Sequence, residues 1–139
     1  MALTPGGTTA LVNYANSLNY AGRPEEAIAL FQKVFRLSPG GLSFLYRDFG
    51  NVLQNTGRYE EAVSAYKKAL QLAPDDINAH RGLAATYSMM GREKEASAEA
   101  AEVLRINPKF SLDFWVKTHP YVQSEIDKLV NALRKAGLK

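Results

Sequence analysis

A ladder of prolines limits this chain more than any other feature. Pro5, Pro39, Pro74 and Pro108 recur at intervals of 34, 35 and 34 residues, each with an aliphatic side chain two places before it: Leu3, Leu37, Leu72 and Ile106. Between successive prolines a Gly-Arg pair returns, at Gly22-Arg23, Gly57-Arg58 and Gly91-Arg92, followed by acidic residues and an alanine. One helix-ending glycine and one helix-ending proline per unit of this length mark stacked helical hairpins. Arrays of that kind act through an extended surface.

The ladder divides the chain into units at residues 8–41, 43–76 and 77–110, with Leu42 inserted between the first two. In the first helix of each, apolar or small residues fall at i, i+3, i+4 and i+7: Leu11, Tyr14, Ala15, Leu18; Tyr46, Phe49, Gly50, Leu53; His80, Leu83, Ala84, Tyr87. That spacing makes one packing stripe on an α-helix, and the small residue in each set admits a close neighbour. In the second helices Ala27, Phe31, Val34 and Leu37 match Ala62, Tyr66, Ala69 and Leu72, then Ala96, Ala100, Val103 and Ile106. Each Gly-Arg glycine sits where a first helix must end and a left-handed residue is favoured. Glu25-Glu26, Glu60-Glu61, Glu93 and Glu95 fall in the first turns of the second helices, where the helix dipole favours negative charge. Pro24 suits a first helical position, and Pro39, Pro74 and Pro108 stop the second helices.

By these residues the chain resembles the tetratricopeptide repeat family over residues 1–110, the segment FLYRDFGNVLQNTGRYEEAVSAYKKALQLAP most closely. The resemblance implies an all-α, right-handed superhelical solenoid of antiparallel helix-turn-helix repeats that serves as a scaffold for protein–protein contacts. His80 stands where the family carries a large aromatic and Ala100 where it carries the second-helix aromatic, so a looser third unit is expected. Residues 1–7 read as the remnant of a preceding repeat that Pro5 closes. That reading leaves a bare N-terminal face able to self-associate, and makes the chain part of a larger protein.

Residues 111–139 read as a capping segment made of a broken helix pair. Ser111 is a plausible N-cap before LDFWVKT, Pro120 interrupts that helix, and Ser124 is the expected N-cap of the last one, which Gly137 ends. Leu112, Phe114, Trp115, Ile126, Leu129, Val130 and Leu133 are the expected covering residues. The stretch from Asn107 to Lys139 is also similar to the C-terminus of repeat arrays on bacterial class III adenylate/guanylate cyclases and related signalling proteins, which implies a bacterial, cytoplasmic setting.

The inventory of reactive groups points away from catalysis. There are no cysteines; His80 lies on an apolar stripe and is expected to be packed or hydrogen-bonded, His119 has no obvious partner, and two isolated histidines do not make a metal site. Gly6-Gly7 and Gly40-Gly41 lack the Lys-Ser/Thr of a phosphate loop. No cofactor is expected. A net charge of +3 is too small an excess for a nucleic-acid footprint, and no apolar run is long enough to span a bilayer. What remains is surface, and the stripe beside each first-helix packing face is the candidate. It comprises Val12, Asn16, Asn19 and Tyr20; Arg47, Asn51, Gln54 and Asn55; and Arg81, Ala85, Ser88 and Met89. By the resemblance, this stripe lines the concave groove that accepts a protein or peptide ligand. Asn16 and Asn51 match in register and offer amides to an extended backbone, and Arg47 and Arg81 match as partners for a carboxylate. The family's carboxylate clamp for acidic C-terminal tails is not expected, because Asp48, Gly82 and Asn78 stand where its Asn, Arg and Lys would fall.

Overall fold

The computed structural model describes residues 5–37, 42–118 and 123–139. Helices α1 (Pro5–Tyr20) and α2 (Pro24–Leu37) form one antiparallel hairpin, α3 (Ser43–Asn55) and α4 (Tyr59–Leu72) a second, and α5 (Ile77–Met89) and α6 (Glu93–Ile106) a third. Two further helices, α7 (Leu112–Lys117) and α8 (Gln123–Ala136), close the chain, and no strand occurs among the described residues. Each hairpin packs on the next, α2 and α1 against α3, then α4 and α3 against α5, giving the expected all-α right-handed solenoid. Pro39, Gly40, Gly41, His119 and Pro120 lie outside the described residues.

The turns form as their residues dictate. Gly22, Gly57 and Gly91 adopt φ values of 81°, 78° and 77°, where a side chain would be strained. At Gly57 its N–H bonds the Gln54 carbonyl at 3.1 Å and the Arg58 N–H bonds Leu53 at 3.0 Å. This pair of reversed bonds satisfies the carbonyls left at a helix end, and Gly22 and Gly91 repeat it. Pro24 opens α2, and the acidic pairs fall in the first turns of α2, α4 and α6. Asp76 caps α5, its side chain accepting from the Asn78 and Ala79 N–H groups at 3.0 and 3.3 Å.

Burial follows the repeat: Ala27, Phe31 and Val34, then Ala62, Tyr66 and Ala69, then Ala96, Ala100 and Val103 are enclosed. Two assigned stripe members are not, since Tyr14 and Leu72 are exposed. Pro5 also departs from expectation, for it opens α1 instead of ending an earlier helix, so residues 5–7 belong to the first hairpin. A proline at a helix start gives up no hydrogen bond. The third unit is not looser: every residue from Ala79 to Tyr87 on α5 is buried.

The cause is the C-terminal cap. α8 packs against α5 and α6, burying Leu129, Ala132, Leu133 and Ala136. After Gly137 the chain turns so that Leu138 is buried and the Lys139 carbonyl accepts the Leu112 N–H at 2.9 Å. Leu112 and Trp115 of α7 are buried as expected, and Ser111 caps that helix through the Phe114 N–H at 3.4 Å. Ile126 and Val130 are half-buried. Phe114, expected in the cap, is instead 70% exposed, because α7 is only six residues long and has one inward face. Ser124 is not a cap either, since α8 already begins at Gln123.

Candidate functional site

The first helices α1, α3 and α5 carry the expected stripe, and the structure divides its residues into two groups. Asn16, Tyr20, Arg47, Asn51, Asn55, Ser88 and Met89 are half-buried at the surface, whereas Val12, Asn19, Gln54, Arg81 and Ala85 are buried. The division reflects side-chain length and the helix next door. Val12 packs into the core. Gln54 reaches α5, where its amide nitrogen donates to Thr86 Oγ1 at 2.8 Å and to the Gly82 carbonyl at 3.2 Å. Asn19 accepts from the Asn55 amide at 2.7 Å across the first two repeats. These residues tie repeats together, so their contribution to a surface is indirect.

The surface group centres on Asp48. Its carboxylate accepts from the Asn16 amide at 3.1 Å and from Arg47 Nε at 3.4 Å, and Arg47 also donates to Asp76 at 3.3 Å. In sequence Asp48 counts as a departure from a clamp, but in three dimensions it organises the first two repeats. Asn51 accepts from the Tyr66 hydroxyl at 2.5 Å, which fixes the amide and leaves its nitrogen as a donor. Burial first, then the Asp48 carboxylate, holds the Tyr20 hydroxyl above its usual range, against the opposing pull of Arg81 and Arg47. Groups from all three first helices therefore act on one another here.

Two side chains of α5 make contacts with other helices. Arg81 is 3% exposed and its guanidinium stacks on the Trp115 indole, 4.6 Å from the ring centroid, although Trp115 had been assigned only to the cap. His80, expected to be packed or hydrogen-bonded, is both: its ring nitrogens meet Glu99 Oε2 at 2.6 Å and the Pro74 carbonyl at 2.8 Å. Gly82 is where it is because of Tyr66, since a Cβ there would lie 2.4 Å from that ring. No clamp arginine could occupy the position without displacing Tyr66. Among the described residues no cluster of His, Asp and Glu could hold a metal, and no helix is long and apolar enough to cross a membrane.

Comparison with known proteins bears on the fold. No curated protein matches the chain significantly in sequence. Among solved structures, the first TPR of Spaghetti (RPAP3), bound to the HSP90 peptide SRMEEVD, superposes with a TM-score of 0.74 at 18% identity, covering 98% of this chain and 94% of that one. The second TPR domain of human RPAP3, in complex with the HSP70 peptide SGPTIEEVD, gives 0.69 at 18% identity, covering 96% and 100%. The Arabidopsis OM64 TPR domain gives 0.72 at 13% identity, covering 94% and 93%. At these identities the likeness is one of fold. Two sequence models, both described as tetratricopeptide repeat, match residues 8–74 and 53–113. Residues 8–113 of this chain therefore belong to the tetratricopeptide repeat family.

Proposed function

We propose that this chain is a non-catalytic interaction scaffold whose concave stripe holds a peptide or helical segment of a protein partner. The observation that carries the reading is the row Asn16, Arg47, Asp48 and Asn51, which stays at the surface while its neighbours are consumed in packing. Those four side chains present two amides flanking an ion pair across two repeats, with Asn16 and Arg47 held by Asp48 and Asn51 held by Tyr66. A pre-set row of that kind lowers the ordering cost of binding an extended chain. Structures of the same fold with bound peptides support the reading without naming this partner.

The test is selection from a displayed library of random peptides, followed by titration of the enriched peptide. The double variant Arg47→Ala/Asn51→Ala should bind it at least ~10-fold more weakly, from loss of one charged and one neutral contact, with its helicity unchanged. Equal binding by the double variant would overturn the groove assignment. Self-association through the outer face of α1, where Tyr14 is exposed, is the competing use of this fold, and light scattering across a concentration series separates the two. The place of the array in a larger bacterial signalling protein rests on the resemblance of its tail.

A further inference from the structure

Among the described residues, Arg81 makes no ion pair with an acid. It lies on α5 with 3% of its surface exposed, and its Nε is buried without a hydrogen-bond partner. An ionised guanidinium removed from water needs an anion or a full set of acceptors. Three acids of the first helices and α6 are engaged elsewhere. Asp48 is bonded to Arg47 and Asn16, Asp76 to Arg47 and the first turn of α5, and Glu99 to His80. The guanidinium stacks on the face of Trp115, and a cation–π contact offsets only part of the desolvation.

Trp115 is also in an unusual position. It belongs to α7, a helix of six residues that turns the adjacent Phe114 out to solvent. Arg81 also lies within electrostatic reach of Tyr20, whose hydroxyl responds to Arg81, Arg47 and Asp48 together.

We propose that Arg81 is the seat for a carboxylate side chain of the peptide held in the concave groove, and that Trp115 is a lid which this side chain displaces. The proposal rests on the groove reading above and adds the chemistry of the ligand. A planar guanidinium accepts a carboxylate through two parallel N–H···O bonds, which a lysine cannot reproduce. A side chain is favoured over a chain terminus because Asn78 and Gly82 provide no second cation to bind a terminal carboxylate.

Trp115 is the only tryptophan in the chain, so its emission reads the lid directly. The probes are acetyl-tetraglutamate amide, acetyl-tetraglutamine amide, and acetyl-tetraglutamine with a free C-terminus. At fixed ionic strength the glutamate peptide should shift Trp115 emission to the red, saturably, and open it to acrylamide quenching, with neither glutamine peptide doing so. Arg81→Met should abolish the response, and Arg81→Lys should weaken it ~10-fold. Trp115→Phe, followed by calorimetry, should bind the glutamate peptide at least as tightly as the parent chain.

Failure of the glutamate peptide to move the emission would overturn the proposal, as would a response retained in Arg81→Met. An equal response to the free C-terminus would replace the side chain with a terminal carboxylate. Weaker binding by Trp115→Phe would remove the lid. A library-selected peptide that lacks acidic residues yet depends on Asn51 would overturn the Arg81 seat and leave the groove function standing. Failure of any peptide to bind would sink both.

Discussion

The seam between the first two repeats and the seam between the second and third hold the same register with different chemistry. The first is aromatic. Phe31 and Phe35 of α2 meet Phe49 and Tyr46 of α3, with ring centroids 5.5 Å apart for Phe31–Phe49 and 5.0 Å for Phe35–Tyr46. The second replaces those rings position by position. His80 stands at the place of Tyr46, and bonds Glu99 and Pro74 where Tyr46 stacks. Tyr66, matching Phe31, fills a notch between Gly50 of α3 and Gly82 of α5 and anchors its hydroxyl on Asn51. Gln54 then bonds Thr86 of α5 with both side chains buried, whereas the matching Asn19 joins the first seam through the half-buried Asn55. A non-directional seam holds by area, whereas a polar one must satisfy each donor and acceptor and so fixes the relative position of its helices more tightly. The outer side of the aromatic seam is correspondingly open, with a cleft of about 380 Å³ beside Phe35, Tyr46 and Phe49.

The contrast is broken most strongly by Phe31→Ala. The ring is fully buried, and a phenylalanine-to-alanine change in a core costs about 3–5 kcal/mol. Because repeat stability divides into nearest-neighbour terms, the loss should concentrate at the first seam. Hydrogen exchange is the measurement: amides of α1 and α2 should speed up well before those of α5 and α6. Uniform acceleration along the chain would show that the two seams unfold as one unit and that the distinction has no energetic content.

Much of this was legible in the sequence, and the limits are instructive. The three Gly-Arg turns and the small residues Ala15, Gly50 and Ala84 could be read because each depends on backbone geometry within its own hairpin. Side chains that answer to another repeat could not. Asp48 looked like a substitution in a clamp, because only the fold brings Asn16 within reach of it. Arg81 looked like a twin of Arg47, yet one pairs with two acids and the other lies under an indole 34 positions along the chain. The twinning holds for the helix register and fails for the environment, since α5 is covered by the cap and α3 is not. Phe114 failed for a related reason, as a six-residue helix cannot present both Phe114 and Trp115 to one neighbour.

The polar seam is tested by Gly82→Ala. The added Cβ would fall 2.4 Å from Tyr66 Cε1 and Cζ, and the ring cannot swing aside without releasing Asn51. Overpacking of this kind costs about 1–3 kcal/mol, partly offset by as much as ~1 kcal/mol of helix propensity gained over glycine. Thermal unfolding should therefore show a net loss, and a double-mutant cycle with Tyr66→Leu should show strong coupling, because the smaller side chain vacates the notch. If Gly82→Ala raises the melting temperature, the notch is not filled as described.

The smallest effect compares neighbours on one helix. Gln54 and Asn55 are adjacent, yet Gln54 bonds forward to α5 and Asn55 bonds back to Asn19 of α1. Gln54 is buried and Asn55 half-exposed. Truncating Asn55 to alanine lets water reach the Asn19 oxygen, so the cost should be that of one ordinary hydrogen bond, about 0.5–1.5 kcal/mol. Truncating Gln54 takes from the buried Thr86 oxygen the N–H it accepts, leaving only its own bond to the Gly82 carbonyl, and should cost more. Urea unfolding of the two variants side by side decides the matter. Equal losses would mean that the polar seam is no drier than the aromatic one, and that its specificity comes from the Tyr66 notch alone.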